Sequence, residues 1–71
     1  MSTHSTWNRI QGGWKQLAGS VHEEWGKLTH DDIAQIDGKR ERLVGKIQER
    51  YGIVEEEANK QVNTWETKAK P

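Results

Sequence analysis

The stretch Ile10–Gly26, IQGGWKQLAGSVHEEWG, is followed at an offset of 26 by Ile36–Gly52, IDGKRERLVGKIQERYG. Six of the seventeen aligned positions are identical, and Val21/Ile47 and Trp25/Tyr51 are conservative pairs. Six glycines set the frame, in two series with a spacing of seven: Gly12, Gly19, Gly26 and Gly38, Gly45, Gly52. An internal repeat constrains a fold before any local reading does. Two units are too few for a solenoid, so the pattern predicts an approximate duplication of a helical hairpin.

Working outward from that stretch, Ile10, Trp14, Leu17, Ala18, Val21 and Trp25 recur at three and four residues. This is one stripe of an amphipathic helix. Gly26 stands where a left-handed C-terminal cap is wanted. Thr29 and Asp32 have the spacing of an N-cap and its acidic partner, opening a short helix over about 30–37 with Ile33 and Ile36 on its apolar side. A third helix carries Leu43, Val44, Ile47 and Tyr51 and ends at Gly52. Glu55, Glu56 and Glu57 then open a last helix, where the helix dipole favours negative charge. Val54, Ala58, Val62 and Trp65 form its stripe.

The predicted fold is all-α: a small four-helix bundle of two packed α-hairpins, because neither hairpin can bury its stripe alone. The expected core is Trp14, Leu17, Val21, Trp25, Ile33, Ile36, Leu43, Ile47, Tyr51, Val62 and Trp65. Residues 6–67 make one domain, between disordered ends at 1–5 and 68–71. Trp7 either staples the first helix or stays exposed.

Composition bounds the rest. The chain has 71 residues, and eleven Lys+Arg balance eleven Asp+Glu, so no general attraction to polyanions is expected. There is no Cys, which removes disulfides and thiolate ligands. A mean hydropathy of −1.08 is very low for a folded domain, but four Trp supply much buried area per residue. No apolar run approaches the ~20 residues that cross a bilayer. The opening MSTHST has neither the basic region nor the apolar stretch of a secretion signal. A cytoplasmic location follows as the expectation.

Candidate chemistry is sparse. His4, His22 and His30 lack metal-ligand spacing and read as solvent-exposed. Ser20 and His22 lie two apart on one helix and diverge, so they form no nucleophile–base pair. The carboxylate runs lack the apolar wall that raises a pKa for acid–base work. No catalytic residue, cofactor or metal is expected. Two surface features remain. Lys39, Arg42, Lys46 and Arg50 fall at i, i+3, i+7 and i+11 on the third helix, a stripe suited to phosphates. The matching positions of the first unit, Gly13, Gln16, Ser20 and Glu24, do not repeat it. Gly12, Gly19, Gly38 and Gly45 lie off the main stripe, Gly12 and Gly19 being about 140–160° from Trp14 at 3.6 residues per turn. They offer a smooth face that another helix or chain could approach closely.

The segments WKQLAGSVHEEWGKLT, DGKRERLVGKIQERYGI and EEEANKQVNTWE, in that order and spacing, closely resemble the CsbD-like family of small bacterial stress proteins. The resemblance covers about residues 7–67. It implies a bundle of two α-hairpins and a link to the bacterial stress response, with no defined activity and no catalytic residues. The reading that follows is a non-enzymatic stress-response protein, a hydrophilic protectant or interaction module. Two alternatives are a nucleic-acid-binding module using Lys39, Arg42, Lys46 and Arg50, and a self-associating or partner-binding adaptor using the glycine faces.

Overall fold

Local hydrogen bonding divides the chain more finely than its periodicity does. The computed structural model describes the backbone of residues 3–69 and the side chains of residues 7–69. It contains five helices among the described residues: α1 Thr3–Gly12, α2 Trp14–Glu24, α3 His30–Ile36, α4 Arg40–Tyr51 and α5 Glu55–Lys68. The chain is all-helical as expected, but the expected count of four is corrected to five. The ends expected to be disordered include residues 1, 2, 70 and 71, which lie outside the described residues. Residues 3–5 belong to α1, and Ala69 is buried with its N–H donating to Trp65 O at 2.9 Å.

The additional helix arises at Gly12-Gly13. Gly13 N–H donates to Arg9 O at 3.0 Å and closes α1, while its own carbonyl accepts from Gln16 and Leu17 N–H and opens α2. At Gly13 φ is −103° and ψ is 23°, bridge-region values that end the helical run without a left-handed turn. The stripe from Ile10 to Trp25 therefore runs across two helices. Gly26 does not take the left-handed cap expected of it. Trp25 caps α2 instead, with φ −126° and ψ 81° and its N–H on Val21 O. The left-handed turns lie elsewhere, at Asp37 (φ 51°), Gly38 (φ 76°) and Gly52 (φ 65°).

Neighbouring helices form a closed circuit: α1 packs on α2, α2 on α3, α3 on α4, α4 on α5, and α5 back on α1. Inside lie Trp7, Ile10, Trp14, Leu17, Val21, Trp25, Leu28, Ile33, Ile36, Leu43, Val44, Ile47, Ala58, Val62, Trp65 and Ala69. Every residue expected in the core is buried except Tyr51, which is half-buried and packs on its edge. Tyr51 keeps its hydroxyl at the surface, where it accepts from Lys27 N–H at 3.1 Å.

Trp65 of α5 is the hub of this interior. The rings of Trp7, Trp14 and Trp25 stand 6.1, 6.5 and 5.7 Å from it, edge-on or tilted, the arrangement that the ring quadrupole favours. All four indole N–H groups are satisfied. Trp7 donates to Gly38 O at 2.6 Å, Trp14 to Ile33 O at 2.9 Å, Trp25 to Gln61 Oε1 at 2.9 Å and Trp65 to Ser20 Oγ at 3.1 Å. A chain this polar thus builds its core from a few large rings, with no buried indole donor left unmatched.

Candidate functional site

The basic stripe on α4 is the natural starting point. Its members lie on successive turns because α4 runs unbroken from Arg40 to Tyr51, with Lys39 as its N-cap. Lys39 and Arg42 are exposed. Arg42 Nη1 donates to Gln35 O at 3.0 Å. Lys46 and Arg50 both turn toward α3 and meet Asp32. Arg50 Nε and Nη2 donate to Asp32 Oδ2 and Oδ1, each at 2.9 Å. Lys46 Nζ lies 3.4 Å from Asp32 Oδ1 and 3.8 Å from Glu49 Oε1.

Asp32 sits there because of the cap that starts α3. Thr29 Oγ1 accepts from Asp32 N–H at 3.0 Å, and Asp32 Oδ2 accepts from Thr29 N–H at 3.0 Å. The capping box expected from the Thr29/Asp32 spacing is present, with Asp in the place usually held by Glu or Gln. The Asp32 side chain is 3% exposed, so its charge must be matched locally. The Arg50 guanidinium and then the Thr29 N–H hold its carboxyl far below the ordinary carboxylate value, against desolvation, which pushes the other way. Asp32 in turn raises the already high pKa of Arg50.

The stripe is therefore half spent inside the chain. The shallow groove of about 660 Å³ beside it is bordered by Arg42 and Lys46 and equally by Asp37 and Glu49, so its formal charge balances. The acidic opening of α5, Glu55–Glu57, is exposed and does not pair with the stripe among the described residues.

The glycines separate into two kinds. Gly12, Gly19 and Gly45 are exposed, and a Cβ on any of them would meet nothing within 4 Å. Gly38 is buried, and its neighbour belongs to the same chain. A Cβ there would lie 2.9 Å from Gln11 Cγ and 3.0 Å from Gln11 Cα. Gly38 is where α1 seats on the α3–α4 turn, with the Trp7 indole on its carbonyl.

A second polar cluster was not legible in the charge pattern. Arg40 Nη1 donates to Asn59 Oδ1 at 2.7 Å and Nη2 to Asn63 Oδ1 at 2.6 Å. Its Nε faces Glu66 Oε1 at 3.9 Å, and both atoms are buried without a hydrogen-bond partner among the described residues. The available signal is on α5: Asn59, Asn63 and Glu66 follow one another at four and three residues, a polar stripe beside the apolar one.

His22 and His30 stack with ring centroids 5.3 Å apart, both exposed. Among the described residues no three His, Asp or Glu side chains are grouped to hold a metal ion, and no helix is long and apolar enough to cross a membrane.

A sequence profile for CsbD-like proteins matches residues 8–60. The UPF0337 protein YjbJ of Escherichia coli K12 is 60% identical over 57 residues, covering 80% of this chain and 83% of that protein. YjbJ of Salmonella typhimurium is 58% identical over 57 residues, covering 80% and 81%. The UPF0337 protein RPA4217 of Rhodopseudomonas palustris is 52% identical over 64 residues, covering 90% and 97%. No solved structure matches the chain.

Proposed function

This chain belongs to the CsbD-like family, and from that premise we propose that it is a non-enzymatic stress-response protein of the bacterial cytoplasm, acting as a hydrophilic protectant or interaction module. The observation that carries this reading is where the charges are spent. Among the described residues the buried ionic groups, Asp32 and Glu66, lie against cations of α4, and Asp32 ties α3 to α4. What remains outside is a hydrated surface of mixed sign on a chain with zero net charge, built on a small core of rings. Such a surface suits keeping neighbours hydrated and apart.

The test is drying. An unrelated enzyme dried with this protein should keep more activity than the same enzyme dried with an equal mass of an inert small protein. Equal recovery would sink the reading.

The adaptor reading draws its support from Gly12, Gly19 and Gly45, open positions where another backbone meets no side chain. The nucleic-acid reading is weaker, because Lys46 and Arg50 are committed to Asp32. Sedimentation over a concentration series tests the first, and DNA binding at two salt concentrations the second. The same proposal takes α1–α2 and α3–α4 as two copies of one unit. The breaks at Gly13 and at Asp37–Lys39 fall at corresponding places in the aligned segments.

A further inference from the structure

The groove between α1, α4 and α5 has a lining unlike the rest of the surface. It measures about 770 Å³ and is bordered by five carboxamides, Asn8, Gln11, Gln48, Asn59 and Asn63, with Arg40 among them. Carboxamides offer a donor and an acceptor each. Two of these are fixed in orientation. Arginine has no acceptor, so the oxygens of Asn59 and Asn63 must face Arg40, to which they are bound at 2.7 and 2.6 Å. Their Nδ2 groups are thereby turned away from the guanidinium, and both residues border the groove.

The charges select among ligands. Lys39 and Arg40 are matched on the same lining by Glu41 and Glu55. One N–H of each Arg40 Nη is already bound to an asparagine and its Nε faces the Glu66 carboxylate, so the guanidinium offers a phosphate or carboxylate no unopposed fork. The apolar side chains of the lining, Trp7 and Val44, are 7% and 5% exposed, too covered to attract a hydrocarbon or to stack a base. What the lining matches is a ligand whose groups each donate and accept and which carries no charge. The volume lies within the range of small-molecule sites.

We propose that this groove binds a neutral polyhydroxy molecule of disaccharide size, held through Asn59 and Asn63 Nδ2. The site does not depend on the protectant reading.

The experiment follows the backbone and side-chain amides of the full ¹⁵N-labelled chain by NMR, titrated separately with trehalose and with inorganic phosphate. Trehalose should give saturable shifts centred on the Asn59 and Asn63 side-chain amides. Asn59→Asp and Asn63→Asp keep an acceptor for Arg40 but delete the outward donor. Each should fold, by its dispersed indole signals, and bind trehalose about tenfold more weakly. Three results would overturn the proposal: shifts that rise linearly and spread over the whole surface, groove shifts with phosphate but not trehalose, or folded Asp variants that bind as the parent does.

Discussion

Asp32 and Arg50 meet through two parallel hydrogen bonds of 2.9 Å that tie the first turn of α3 to the last turn of α4. The same carboxylate accepts the Thr29 N–H that starts α3 and lies 3.4 Å from Lys46. One acid therefore caps one helix and clamps another, and an amide in its place has one oxygen for the work of two.

Asp32→Asn keeps the size of the side chain and leaves Arg50 and Lys46 facing a neutral amide. The thermal midpoint should fall by about 4–8 °C, because Asp32 is buried while Arg50 and Lys46 are partly exposed and can turn to solvent once uncoupled. Circular dichroism melts of the two proteins measure it. A midpoint within about 2 °C of the parent would show that the clamp is dispensable.

Acid should act through the same residue. The folded-state pKa of Asp32 is depressed below its ordinary 3.8, so between those values the unfolded chain binds the extra proton. The stabilisation is complete above the ordinary value. It declines as pH falls below it, and it is gone only past the lower, folded value. Urea midpoints taken from pH 6 to pH 2 should drop steeply for the parent and less for Asp32→Asn. Parallel curves would assign the acid sensitivity to other carboxylates.

Glycine substitutions should split by position. Gly38→Ala forces a left-handed φ of 76° on an L-residue and drives its Cβ into Gln11, costing about 2 kcal/mol or more. Gly19→Ala and Gly45→Ala enter open space within helices and should each stabilise by up to about 1 kcal/mol. Under the adaptor reading the latter two also weaken self-association in sedimentation. Unchanged association in both would remove that reading.

Trp65→Ala removes the ring on which three others rest and should cost about 3–5 kcal/mol, near the whole stability of a domain this small. The three remaining indole NMR signals should collapse together. Trp65→Phe keeps a ring but loses the bond to Ser20 Oγ, and it should retain dispersed signals at a lower melting temperature.

The amphipathic stripes and the Thr29 cap are readable in the sequence because each is a local regularity. The break at Gly13 is not, since a one-residue interruption leaves the three-and-four spacing of Ile10, Trp14 and Leu17 intact. Gly26 misleads for a related reason. The cap position is set by where Trp25 must go to enter the core, and that turn is made without a positive φ. The fate of the basic stripe depends on Asp32, eighteen residues before Arg50, a pairing that only helix packing decides. Arg40 lay within the aligned repeat opposite Trp14, so alignment marked it as a difference without saying what it does. Its partners are a polar stripe on α5, visible only once α4 and α5 are laid together.

The hub position of Trp65 also sets the order in which the fold can be completed. The indoles of α1 and α2 are made early in synthesis, but the ring they gather around belongs to α5, made last of the five helices. Until then Trp7, Trp14 and Trp25 have no common centre, and the bond from Trp65 to Ser20 closes a separation of 45 residues. The growing chain therefore carries three large rings without their common centre, and its interior is completed only when α5 arrives. A fragment ending before α5 should expose those rings to chaperones and to one another, rather than form a smaller version of the domain.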